Sequence, residues 1–260
     1  MSFEGAALEA VTFDYWNTLC REPPGGYLRG RRLEAMSQVL VDAGVGSAGV
    51  VLPVLTAGYD AAWRSWAEAW AANRQFTGVD AAHAIADAAE RAFAAVASAG
   101  GAGIAGLRPR LLAAFAGEGE GADLVPLDGV AEALAGLSAL GVRLGIICDV
   151  GFTPSPVLLR HLDRLGLLKY FDHWSFSDEV GVYKPDPRIF RHALAGLGRP
   201  DPARCAHVGD RRRTDVAGAQ ALGMRAVRIT AAFDDDPDQG PSGDVVIASY
   251  DELLPALGLA

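Results

Sequence analysis

The chain has 260 residues, half of them apolar, enough for one large domain or for a core that carries a smaller inserted one. A net charge of −9 argues against sequence-independent binding to nucleic acid or to an anionic membrane surface. No stretch approaches the roughly 20 apolar residues of a membrane span, MSFEGAALEA lacks a signal-peptide pattern, and the three cysteines, Cys20, Cys148 and Cys205, lack metal-like spacing and fit a reducing cytoplasm.

In chain order, residues 9–14 (EAVTFD) read as a buried strand ending in Asp14. Residues 15–27 are turn-rich, with Asn17 and then Pro23-Pro24-Gly25-Gly26. From about 28 to 118 the pattern is helical and alanine-rich. RRLEAMSQVLVDAG places Leu33, Met36, Val39 and Leu40 at helical spacing and stops on Gly44. YDAAWRSWAEAWAANR puts Tyr59, Trp63, Trp66 and Trp70 on one face, a stripe read as packing within the helices, with a surface for an apolar or aromatic substrate as the other reading. DAAHAIADAAERAFAAVASAG and LRPRLLAAFAG continue the helical block, and residues 117–129 (GEGEGADLVPLDG) read as a linker out of it.

Beyond the linker the period changes. A helix over 129–141, capped by Asp128, leads to VRLGIICD (142–149), a continuous apolar run expected of a parallel strand buried on both faces. Helices follow at SPVLLRHLDRLGL, DPRIFRHALAGLG, DVAGAQALGM and YDELLPALG, alternating with strands at FDHWSFSDEV, ARCAHVGD, RAVRIT and DVVIAS. This alternation predicts an α/β fold, a Rossmann-like doubly wound parallel sheet. Residues 1–20 and 127–260 form its core, and 21–126 form a helical insertion after the first strand. The acidic stretch 233–244 reads as a solvated loop.

Sites in such sheets form outside the carboxyl ends of the strands. Those ends carry Asp14, Cys148-Asp149, Ser177-Asp178 and Gly209-Asp210. Lys184 lies between the last two, in GVYKPDPRIF, and is one of only two lysines among the 23 Lys plus Arg of the chain. A retained lysine hints at a position that asks for a compact ammonium. Asp14 and Asp210 can share a hard cation through oxygen, Mg²⁺ above all. Lys184 can neutralise charge on a nucleophile and a phosphate, and Asp215 can hold a metal-bound water or cap the following helix. Asp178 reads as a distal partner of Lys184 or a loop acid, Arg211-Arg212-Arg213 as a solvated run or a grip on a second anionic group, and His207 as a satisfied interior histidine.

Four stretches in order, TFDYWNTL, LGIICD, GVYKPDP and HVGDRRRTD, resemble the motifs of the haloacid dehalogenase (HAD) superfamily, and the intervening helices resemble its C1-type caps. The resemblance implies a hydrolase with Asp14 as the nucleophile of a covalent aspartyl intermediate and Lys184 as the motif lysine. It implies Mg²⁺ on Asp14, the Trp16 backbone carbonyl and Asp210, with Asp215 alongside. Cys148 stands where the family offers a Ser or Thr hydroxyl, and its thiol is a weaker donor. The family's phosphatases carry an acid two residues after the nucleophile. That position is Trp16, which cannot exchange protons, and the dehalogenases carry an aromatic residue there. The Gly209-Asp210 to Asp215 spacing, in turn, is the family's Mg²⁺ form. The expectation is a small phosphorylated substrate, with no nucleic-acid or membrane partner. A carbon–halide hydrolase and a noncatalytic binding protein stay open as alternatives.

Overall fold

The structure, a computed structural model, describes residues 7–95 and 103–259. The strands are β1 Ala10–Phe13, β2 Cys20–Arg21, β3 Val125–Pro126, β4 Arg143–Cys148, β5 His173–Phe176, β6 Cys205–Gly209, β7 Arg225–Ile229 and β8 Val245–Ile247. The helices are α1 Tyr27–Asp42, α2 Ala48–Ala71, α3 Gly78–Ala92, α4 Arg108–Glu120, α5 Val130–Ala139, α6 Ser155–Arg164, α7 Ser177–Val180, α8 Pro187–Gly196, α9 Ala217–Ala221 and α10 Leu253–Ala256. The last residues of the helix expected over 80–100, from 96 on, lie outside the described residues.

Six strands form one parallel sheet in the order β5-β4-β1-β6-β7-β8. The apolar runs account for it: β1 and β6 are buried at every position and β4 at all but its first, as strands covered on both faces must be. The order reverses at β1. From there the chain proceeds through β4 and β5 on one side and through β6, β7 and β8 on the other. In open α/β sheets such a reversal is where ligands bind, here outside the carboxyl ends of β1, β4 and β6.

Contacts divide the chain into two compact units. The sheet unit comprises the chain up to Arg21, Leu124–Asp149 and Leu159 onward. In it β2 pairs antiparallel with β3, Cys20 opposite Pro126, so the chain leaves and re-enters this unit at adjacent points. That ribbon corrects the linker expectation for 117–129. α4 also runs on through two glycines of that stretch, Gly117 and Gly119, to Glu120, because tertiary contacts outweigh glycine's poor propensity. Glu118 pairs with Arg31 at 2.6 Å, and a Cβ on Gly119 would sit 2.9 Å from the Arg32 guanidinium. Asp128 is not a cap either: α5 starts from Gly129, whose φ of 78° turns the chain with no side-chain hydrogen bond.

The helical unit comprises Glu22–Asp123 together with Val150–Leu158, residues that the sequence pattern assigns to the α/β core. Phe152 explains their place. It is buried in the apolar cluster of the helices, 5.3 Å from the rings of Tyr59 and of Trp63. Trp66 Nε1 donates to Val150 O at 3.2 Å, and Arg32 Nη2 donates to Thr153 Oγ1 at 2.8 Å. Gly78 is required where α3 meets this segment, since a Cβ would lie 2.2 Å from Phe152 O. The tryptophan stripe is therefore only partly interior: Tyr59 is buried, Trp66 and Trp70 stack half-buried at 5.6 Å, and Trp63 is exposed. No helix among the described residues is long and apolar enough to cross a membrane.

Candidate active site

Asp14 follows β1, and its backbone N–H donates to Val208 O of β6 at 2.8 Å, so the aspartate is tied to the neighbouring strand. Asp210 follows β6. Lys184 arrives from the loop between α7 and α8, its backbone N–H held by Asp149 Oδ1 at 2.8 Å. Its Nζ is buried and donates to Asp14 Oδ1 at 2.5 Å, to Asp215 Oδ1 at 2.6 Å and to Ile147 O at 2.9 Å. One ammonium thus sits between two carboxylates with all three of its donors engaged.

Asp215 lies in a π-helical turn, Arg212–Val216, and its contacts exceed those of a helix cap. Its Oδ2 accepts from Arg211 N at 2.8 Å, and its Oδ1 faces His207 Nε2 at 3.2 Å. His207 is the partner that the motifs did not reveal. It pairs in register with Thr12 of β1, whose Oγ1 is 2.8 Å from His207 Nδ1. With the proton on Nε2 a neutral ring satisfies both contacts, and burial lowers its pKa accordingly. The available signal was a threonine and a histidine standing inside two otherwise apolar strands. Gly209 is explained by the same packing, since a Cβ would fall 2.3 Å from the Asp215 carboxyl carbon.

The electrostatics follow from burial and crowding. Burial raises the Asp14 carboxyl to about 6, with Lys184 opposing and Asp215 adding to the rise. Asp210 is pushed well above the usual carboxylate range by burial and by Asp14 and Asp215. Burial works against Asp215 too, yet Lys184 and His207 hold it below the ordinary value. Lys184, which burial alone would neutralise, is kept charged by Asp14 and Asp215. The cluster therefore carries more negative charge than its one lysine offsets.

That donor set fits a hard divalent cation. Asp14, Asp210 and Asp215 are all buried and bring carboxylate oxygens within 4.8 Å of one another. Asn17, at a φ of 57°, reaches Asp210 Oδ2 at 3.5 Å. The Trp16 ring lies edge-on to Tyr15 at 5.1 Å, and its backbone forms a bridge with Cys20. Cys148 is fully buried at the end of β4, and burial together with Asp14 raises its thiol pKa well above the ordinary value, so it stays a neutral thiol. Asp178 is not among the groups that hold Lys184 Nζ; Asp215 and Ile147 O have that place beside Asp14.

The arginine run is not simply solvated, and the acidic stretch 233–244, mostly exposed as expected, buries Asp235. Arg212 and Asp235 are buried, with Arg212 N donating to Asp235 Oδ2 at 3.0 Å and Arg212 Nε to Asp235 O at 3.2 Å. Arg228 pairs with Asp234 at 2.6 Å. Two acids of the stretch thus pair with arginines of the turn that follows β6 and of β7.

A family model described as haloacid dehalogenase-like hydrolase matches residues 8–223. Pyrimidine 5'-nucleotidase YjjG of Escherichia coli is 34% identical over 128 residues, 49% of this chain and 55% of that protein. Phosphoglycolate phosphatase of Salmonella choleraesuis is 34% identical over 131 residues, half of each chain. The chain thus spans about half the length of the curated relatives it matches. Among solved structures, 2-haloacid dehalogenase of Pseudomonas syringae superposes with a TM-score of 0.67 at 24% identity, covering 96% of this chain and 98% of that one, a likeness of fold.

Proposed function

The chain belongs to the haloacid dehalogenase-like hydrolases, and on that premise we propose that it hydrolyses small phosphomonoesters through an aspartyl phosphate on Asp14, with Mg²⁺ as cofactor. The observation that carries this reading is the single buried ammonium of Lys184 bridging Asp14 and Asp215 inside a three-carboxylate cluster. Asp14 Oδ attacks phosphorus, the Asp14–phosphorus bond forms and the ester oxygen departs. Water then attacks the aspartyl phosphate, releasing inorganic phosphate and restoring Asp14. Lys184 holds the nucleophile as a carboxylate and balances charge that builds on the phosphoryl oxygens. Asp215, fixed by His207 and by Arg211 N, aims Lys184. Asp14, Asp210, Asp215 and the Trp16 carbonyl would hold Mg²⁺, which when bound supplies Lewis-acid charge neutralisation. The related phosphatase and nucleotidase support a phosphorylated small molecule as substrate. The buried free cysteines support a reducing, cytoplasmic setting.

Phosphate release from an aryl phosphate and from a panel of sugar, nucleotide and organic-acid phosphates tests this. Release is expected with Mg²⁺, and loss with chelator; release at an equal rate under chelation would refute the metal assignment. Trp16 itself favours one other reading, carbon–halide hydrolysis, because a halide leaves without a proton. Chelator-indifferent halide release from a 2-haloacid, with no phosphate release from the panel, would establish it.

Trp16 sets a further expectation. An acid/base group at this position is worth roughly 10²- to 10⁴-fold in rate. Trp16→Asp should therefore raise kcat on an alkyl phosphate by about 10²-fold or more. The gain should be smaller on an aryl phosphate, whose leaving group departs without a proton. Equal rates for the folded variant and the parent on both esters would mean that leaving-group protonation is not limiting.

A further inference from the structure

The three consecutive arginines after Asp210 have separate fates. Arg212 is buried, and Asp235 and Ser242 take up its donors. Arg211 differs. Its backbone is pinned on both sides by Asp215, whose Oδ2 accepts from Arg211 N at 2.8 Å and whose N donates to Arg211 O at 3.0 Å. Its side chain is 42% exposed and its guanidinium lies on the Phe233 ring, 4.1 Å from the centroid. Stacking on an aromatic ring fixes the plane of a guanidinium and leaves its edge for a planar anion. The edge is underused. Nη1 reaches Asp235 Oδ1 only at 3.5 Å, Nε stands 3.6 Å from Asp210 Oδ2, and Nη2 makes no hydrogen bond among the described residues.

We propose that Arg211 is a specificity-determining residue that takes a carboxylate of the substrate, so that the preferred substrates are small organic acids phosphorylated close to the carboxylate. The proposal rests on the phosphohydrolase reading and deepens it. Arg211 stands one carboxylate away from the nucleophile, beside Asp210 of the acid cluster, so the group it binds must lie close to the reacting phosphate. Charge selects carboxylate over a second phosphate. Arg211 brings one positive charge next to Asp210 and Asp235, and that setting suits a monoanion better than a dianion. A carboxylate also matches the guanidinium edge in a bidentate pair.

The test compares phosphoglycolate, ethyl phosphate and the bisphosphate of ethylene glycol, which share the reacting group and differ in the second one. The parent should prefer phosphoglycolate by kcat/KM. Arg211→Gln should cut the ratio of phosphoglycolate to ethyl phosphate by roughly 10- to 100-fold, the loss expected of a charge-assisted bidentate contact. Arg211→Lys should restore only part, since the ammonium keeps the charge and loses the fork. Calorimetry supplies a reading independent of turnover: Asp14→Asn should bind phosphoglycolate more tightly than ethyl phosphate, and the Asp14→Asn, Arg211→Gln double variant should bind the two alike. An equal loss on all three esters would assign Arg211 to the phosphoryl group instead, an unchanged ratio would make it a surface residue, and preference for the bisphosphate would overturn the carboxylate. Absence of phosphate release from every ester would refute the phosphohydrolase reading alone, because the binding comparison still decides whether Arg211 selects a carboxylate.

Discussion

Asp14→Asn is expected to abolish phosphate release, by about 10⁴-fold or more, while the protein stays folded. The amide keeps the shape of the side chain but cannot form the acyl phosphate. Stability should not suffer. Lys184 keeps Asp215 and Ile147 O as partners, and the acid cluster loses one of three crowded carboxylates. Burial raises the folded-state pKa of Asp14 from the ordinary 3.8 to about 6. A carboxyl with a raised folded pKa contributes its stability at low pH and loses it as pH climbs from the unfolded toward the folded value. With chelator present, the parent should therefore lose stability from about pH 4 to about pH 6, and Asp14→Asn should lose less over that window. Thermal melts of the two proteins across pH, alongside phosphate release, make the check. Retained turnover in a folded Asp14→Asn protein would remove Asp14 from the chemistry, and identical melting profiles would mean that Asp14 is not the destabilised carboxyl.

Lys184→Met should act on both rate and stability. Loss of the ammonium removes the charge that faces the developing negative charge, and activity should fall by roughly 10²- to 10³-fold. It also strips Asp14 and Asp215 of their shared partner in a buried site. Breaking a buried ion pair from one side costs about 3 to 5 kcal/mol. Urea unfolding should report a loss of that order at neutral pH, with Mg²⁺ restoring part of it by supplying positive charge to the same acids. An unfolding midpoint equal to that of the parent would mean that the acids take up protons in place of the lysine. Activity within a few-fold of the parent would mean that Lys184 organises the site without assisting the reaction.

Most of the sheet was legible in the sequence because buried parallel strands need uninterrupted apolar runs, and LGIIC and CAHVG have them. Asp14 and Asp210 were legible because each follows such a strand, where side chains leave the packed interior, and Lys184 because it is one of only two lysines in the chain. His207 and Thr12 were harder to see. Each looks like a lone polar residue in an apolar strand, and only the register of β1 against β6 makes them a pair that buttresses Asp215. The part played by residues 150–158 was hidden for a related reason. VGFTP follows a core strand directly, and nothing local says that Phe152 is to be buried among helices from another part of the chain. The acidic stretch after β7 is mostly exposed, as its charge density suggests, and only the burial of Asp235 against Arg212 was not legible in it.

By itself, then, the sequence determined the alternation of elements, the parallel sheet and the identity of the groups carried to its carboxyl edge, since periodicity and strand-end position are local properties of a chain. Only the tertiary structure decided that one ammonium would be shared by Asp14 and Asp215, that His207 would stand behind Asp215, and that Arg211 would stack on Phe233 where Arg212 is buried against Asp235. Those outcomes depend on distances of a few ångströms between segments up to 170 residues apart. Burial then strengthens each contact, because charges removed from water interact strongly only with the neighbours that packing provides.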